Sequence, residues 1–132
     1  MHVSLILAKV SVIWFLSSTA ESIIRDEGGT TYNLSSGENV SLSCTVDGSP
    51  VADIVWLRNG QFLQTRLNNR FQILEESVPS IRVDVIYAKR SILTIVDLTG
   101  GDSGLYSCKA SNGFSSAALL QQPYQLSITS SK

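Results

Sequence analysis

The chain has 132 residues, enough for one domain around one hydrophobic core. Ten Lys and Arg stand against eleven Asp and Glu, which leaves no electrostatic footprint for nucleic acid or an anionic membrane surface. The balance suits a soluble domain with a mixed-charge surface, and no internal repeat or low-complexity segment interrupts it.

In chain order, residues 1–20 come first and have the make-up of a secretory leader. Lys9 closes a short basic front, Val10 to Leu16 form an apolar run, and Ser18 and Ala20 are the small residues a cleavage site needs. Cleavage after Ala20 starts the mature chain at Glu21 and removes His2, the sole histidine. Residues 21–29 form a lead-in, 30–129 the folded domain and 130–132 a short polar tail. No second apolar stretch follows, so the mature chain is expected to carry no membrane span and to be secreted into the extracellular space.

Only Cys44 and Cys108 are present. In an oxidising compartment two cysteines in one small domain pair. A bridge closing a loop of about 64 residues is worth on the order of 4 kcal/mol in the chain-entropy model.

The remaining elements are short strands. In "NVSLSCTV", Val40, Leu42, Cys44 and Val46 alternate with Asn39, Ser41, Ser43 and Thr45, the period of a half-buried strand. "ADIVWLRNG" carries Trp56 and ends in the turn pair Asn59-Gly60. "QFLQTR", "RFQILEE" and "IRVDVIY" follow, then "SILTIVDL" with Leu93 and Ile95 on one face, then "GGDSGLYSCKAS" with Tyr106, Cys108 and Ala110 on one face. In "LLQQPYQLS", Pro123 lacks an N–H for a ladder, so the last strand is expected to bend or break there. Many short strands punctuated by turns indicate an all-β sandwich.

Cys44, Trp56, "SILTIVDL" and "DSGLYSC" resemble the immunoglobulin-domain pattern in order and spacing, over roughly residues 30 to 128. The resemblance implies an immunoglobulin-like two-sheet Greek-key β-sandwich of the intermediate or variable-like set, with one disulfide between the sheets. It implies that Trp56 packs on that bridge and that Tyr106 forms a tyrosine corner with a backbone group just upstream. It also implies that Gly104 allows a tight entry to the strand, and that Asp102 meets an arginine. Two arginines compete for that place. Arg82 is favoured, with "RVDVIYAKRSILTI" folding as a hairpin near Ala88 to Arg90 and residues 66–80 forming an insertion or an extra edge strand. Arg70, in "RFQILEE", has the familiar Arg-Phe start but sits early.

Catalysis is disfavoured. Without histidine the mature chain cannot assemble a Ser-His-Asp or Cys-His arrangement, and its cysteines are committed. Zinc lacks imidazole and free thiolate. Glu75-Glu76 are neighbours on a strand and point to opposite faces. No glycine-rich phosphate loop is present, and no cofactor is expected.

Binding is the favoured role. Beside Trp56, Val55 and Leu57 should point outward, as should Leu105, Ser107 and Lys109 on the strand of Cys108. Val55, Leu57, Leu105 and Lys109 make a candidate protein interface, with Arg58 and Lys109 as its rim. The resemblance implies a cell-surface or extracellular protein partner, in cell–cell recognition or adhesion, with neuronal wiring or synapse organisation as the setting favoured. A soluble immune factor or receptor decoy is an alternative role, and a self-associating adhesive with homophilic contact is another. Asn33 and Asn39 are glycosylation sequons, and sugars there are expected to shield one side and leave the interface face open.

Overall fold

The computed structural model describes residues 23–26, 28–47, 53–65, 68–81, 87–111 and 119–130. The proposed leader therefore lies outside the described residues, as does Arg82.

Among the described residues ten strands form two sheets. They are β1 (Ile23–Ile24), β2 (Thr31–Ser35), β3 (Val40–Asp47), β4 (Asp53–Arg58), β5 (Gln61–Phe62), β6 (Phe71–Pro79), β7 (Tyr87–Ile95), β8 (Gly104–Ser111), β9 (Leu119–Leu120) and β10 (Tyr124–Thr129). One sheet has the order β1-β3-β7-β6 and the other β2-β10-β8-β4-β5, with β9 also paired to β8. The non-sequential neighbours make the Greek key.

The core follows from alternation. Val40, Leu42, Cys44 and Val46 on β3 are all buried, and so are Leu93 and Ile95 on β7. Facing them are Trp56 on β4 with Tyr106, Cys108 and Ala110 on β8. Every second residue of a strand points to one face, so two alternating sheets close one apolar layer between them. The Cys44–Cys108 disulfide joins β3 to β8 across that layer. Trp56 is in register with Cys108 and donates its indole N–H to Ser91 Oγ at 2.9 Å, so the buried ring leaves no polar atom orphaned.

The lead-in contributes structure. Ile23 and Ile24 pair with Asp47 and Val46, so the sandwich begins before residue 30. The chain then crosses to the other sheet, where β2 runs parallel to β10. The crossing is tight at Gly28, whose φ is +72° and whose added Cβ would sit 1.9 Å from the carbonyl oxygen of Gln122.

The segment before β7 differs from the sequence expectation. β6 and β7 pair over their full length, from Phe71↔Ile95 to Pro79↔Tyr87. Ala88 to Arg90 thus lie inside a strand, and residues 71–79 form the edge strand of this sheet, which agrees with the edge-strand alternative and not with an insertion. The cations of this stretch meet carboxylates on β6, Arg90 directly across the ladder and Lys89 on the diagonal. Arg90 stands opposite Glu76, 3.5 Å away, and Lys89 lies 3.8 Å from Glu75.

The final strand is broken at Pro123 into β9 and β10. Gln121 turns inward at the break and is buried. Its backbone N–H donates to Cys108 O at 3.0 Å, and its side-chain Oε1 accepts the Cys108 N–H at 3.3 Å. Its Nε2 lies 3.1 Å from both Asp26 O and Ser43 O, so one amide ties the strand interruption to two other chain segments.

Candidate binding face

The motif around Asp102 is occupied with holding the fold. Arg70, just before β6, donates Nη1 to Asp102 Oδ2 at 2.9 Å and Nη2 to Asp102 Oδ1 at 3.1 Å. The partner of Asp102 is therefore Arg70, which corrects the preference for Arg82. The reason is the register of β6: Arg70 O accepts the Val96 N–H, which places the guanidinium beside the short 3-10 turn Gly100–Asp102. Burial works to raise the Asp102 pKa, but hydrogen bonds from Arg70 and from the Thr99 N–H bring it below the usual value. Tyr106 donates its hydroxyl to Asp102 O at 2.7 Å, and burial pushes its pKa up to about 12. Gly104 leaves room for Asn59, whose Oδ1 would be 3.0 Å from an added Cβ. Asn59 Oδ1 accepts the Leu105 N–H, which pins the β4–β5 turn to the start of β8.

What remains open is the outer face of the six-stranded sheet. Val55 on β4 is in register with Lys109 on β8, and Lys109 with Leu120 on β9. Leu57 is in register with Ser107 on one side and Phe62 on the other. Partners in register share a face, so Val55, Phe62, Leu105, Lys109 and Leu120 all face outward. Phe62 is 64% exposed, Leu120 63%, Leu105 46% and Val55 41%.

Leu57 departs from expectation. It lies on this face but is buried, at 7% exposure. Lys109 Nζ sits 5.9 Å from the Phe62 ring centroid. Those two residues stand on the strands that flank β4, so their cation–π contact crosses β4 and closes over Leu57. Arg58 is also not a rim residue. It shares the inward parity of Trp56, lies against the Tyr106 ring and donates Nη2 to the carbonyl oxygens of Gly101 and Ser103.

Phe62 and Leu120 were absent from the sequence-based patch. Phe62 was accessible to reasoning: the Asn59-Gly60 turn has φ of +51° and +83°, the two-residue hairpin type that pairs Leu57 with Phe62. Leu120 was hidden by the break at Pro123, which removes the register signal.

The sequons also sit differently from expectation. β2 belongs to the same sheet as β8 and β4, and exposed Asn33 pairs with Ser127 on its outer side. A glycan on Asn33 would stand at the β2 margin of this face, roughly 14 Å from β4 at normal strand spacing, instead of shielding another side. Asn39 precedes β3 and its Oδ1 accepts the Asp97 N–H at 2.9 Å, an interaction that leaves the amide nitrogen outside the bond.

Among the described residues no cluster of three or more His, Cys, Asp or Glu is placed to hold a metal, and no helix is long and apolar enough to cross a membrane. Residues 22–112 match the family described as the immunoglobulin domain. The chain belongs to the immunoglobulin-domain family. It is 34% identical over 105 residues to the cell adhesion molecule Dscam2 of Drosophila melanogaster, covering 79% of this chain and 4% of that protein. It is 32% identical over 102 residues to the peroxidasin homologue pxn-2 of Caenorhabditis elegans, covering 77% of this chain and 7% of that one. This immunoglobulin domain thus spans less than a tenth of the length of these curated relatives. Among solved structures, the titin I-band fragment I67–I69 superposes with a TM-score of 0.64 at 17% identity, covering 85% of this chain and 34% of that fragment. That likeness is one of fold.

Proposed function

We propose that this chain is an exported immunoglobulin domain that binds a cell-surface or extracellular protein through the outer face of its six-stranded sheet. One observation carries the reading. Among the described residues, four large apolar side chains, Val55, Phe62, Leu105 and Leu120, are exposed on one face with Lys109 between them. Clustered apolar anchors beside a charge suit a protein contact better than a solvated surface.

The likeness to a cell adhesion molecule supports a recognition role, and the leader-like residues 1–20 support export. Within this proposal the setting is cell–cell recognition, with neuronal wiring or synapse organisation as its favoured form. Occupied sequons at Asn33 and Asn39 belong to the same reading.

A panel of displayed extracellular domains, probed with the purified protein, tests it. A partner should bind the native protein and lose at least about tenfold in affinity to Phe62→Asp or Leu120→Asp, while Thr94→Asp on the opposite sheet binds normally. Equal binding by all three variants would remove the face from the reading. Mass that grows with concentration in sedimentation, abolished by the same two substitutions, would make the partner a second copy.

A further inference from the structure

The other sheet ends in an edge strand away from that face. β6 is the terminal strand of the order β1-β3-β7-β6, and its nine residues are long for an edge. The register decides which of its backbone groups are unused. Arg70 O accepts the Val96 N–H, so the pair next to Phe71↔Ile95 is a hydrogen-bonded one. Antiparallel pairs alternate. Gln72, Leu74, Glu76 and Val78 therefore bond to β7, and Ile73, Glu75 and Ser77 turn their N–H and C=O groups outward.

Both ends of this run are closed. The Phe71 N–H is taken by Asn68 O at 3.1 Å. Pro79 has no N–H, and its carbonyl accepts from Arg25 at 3.0 Å. Among the described residues a window of five remains open, Ile73 to Ser77.

The side chains of the window are also uncovered. Ile73 is in register with fully buried Leu93, yet it is 42% exposed, because the facing sheet ends in the two-residue strand β5. Leu74, on the other side of β6, is 58% exposed. Glu75 and Glu76 are each more than 40% exposed, and their ion pairs at 3.8 and 3.5 Å are loose.

The two carboxylates select the occupant. A second copy centred on this window in antiparallel register would oppose Glu75 to Glu75, a centre at Glu76 would oppose Glu76 to Glu76, and a centre at Leu74 would avoid both only by setting Glu75 against the apolar Ile73. Like charges directly opposite destabilise a strand pair, the usual protection of an edge against itself. A foreign strand with cations at those positions meets no such obstacle.

We propose that the Ile73–Ser77 edge accepts, by antiparallel strand addition, an extended segment of another protein carrying two adjacent basic residues followed by two apolar ones. The basic pair lies opposite Glu76 and Glu75, and the apolar pair opposite Leu74 and Ile73. Main-chain hydrogen bonds supply the affinity and the four side chains the selectivity. The inference does not depend on the binding face proposed above.

The test uses the full secreted protein with blocked peptides of sequence TTKKVVT and TTEEVVT, read by amide hydrogen exchange. At saturating TTKKVVT, exchange at Ile73, Glu75 and Ser77 should slow at least about tenfold, and TTEEVVT should have no effect. Methylating alternate peptide nitrogens that face the edge should abolish the protection. The variant Glu75→Lys with Glu76→Lys, checked for an unchanged thermal midpoint, should respond to TTEEVVT in place of TTKKVVT. Equal response to both peptides, no protection, or changes confined to Val55 and Leu120 would overturn the proposal. So would slow exchange at these three amides in peptide-free protein that rises with protein concentration, which would assign the edge to a second copy.

Discussion

Arg70 and Asp102 meet through two parallel hydrogen bonds, from Nη1 at 2.9 Å and Nη2 at 3.1 Å, with the carboxylate almost wholly buried. The pair ties the start of β6 to the turn before β8. Arg70→Ala leaves a buried carboxylate without its cation, and should cost roughly 2–4 kcal/mol in denaturant unfolding. Arg82→Ala, at the other arginine the sequence offers, is the comparison and should cost less than Arg70→Ala.

The same pair sets an acid limit. The folded pKa of Asp102 lies below its unfolded value, so its contribution is present above the unfolded pKa, near 4, and is lost as pH falls through the folded value. Tyr106 acts at the other end. Its folded pKa is raised to about 12, so its contribution is full below the unfolded value near 10 and is lost as pH rises towards 12. Unfolding midpoints measured from pH 2 to 12 should fall at both ends. Arg70→Ala should flatten the acid limb and Tyr106→Phe the alkaline one.

Trp56→Ala should cost about 3–5 kcal/mol, by removing a buried ring and stranding the Ser91 hydroxyl. Trp56→Phe retains most of the apolar volume and should cost less. Chemical denaturation of the two variants gives both values.

Gln121→Leu preserves approximate volume but deprives the Cys108 N–H of its acceptor. A loss of roughly 1–3 kcal/mol is expected, as for a buried unsatisfied group. Faster hydrogen exchange at Cys108, with β6 and β7 unaffected, would show that the effect is local.

The fold was legible because alternation is a backbone property. Val40, Leu42, Cys44 and Val46 needed no tertiary information to be assigned to one face, and the cysteines and Trp56 then ordered the sheets. The turn near Ala88 to Arg90 gives way to a continuous strand because Arg90 pairs with Glu76 across the ladder and Lys89 reaches Glu75 on the diagonal, contacts that local sequence does not reveal. Leu57 was misjudged for a related reason. Parity puts it on the outer face, but only the reach of Lys109 across β4 to Phe62 shows that it is covered. The inward turn of Gln121 depends on where Pro123 breaks the strand, which composition signals but register alone resolves.

Hydrogen-exchange footprinting of the domain, free and bound to a protein captured by the displayed panel, is the most direct measure of the proposed binding face. Protection should concentrate at Val55, Phe62, Leu105, Lys109 and Leu120 on the six-stranded sheet. Protection confined to the outward residues of β3 and β7, such as Ser41 and Thr94, with that face unchanged, would contradict it.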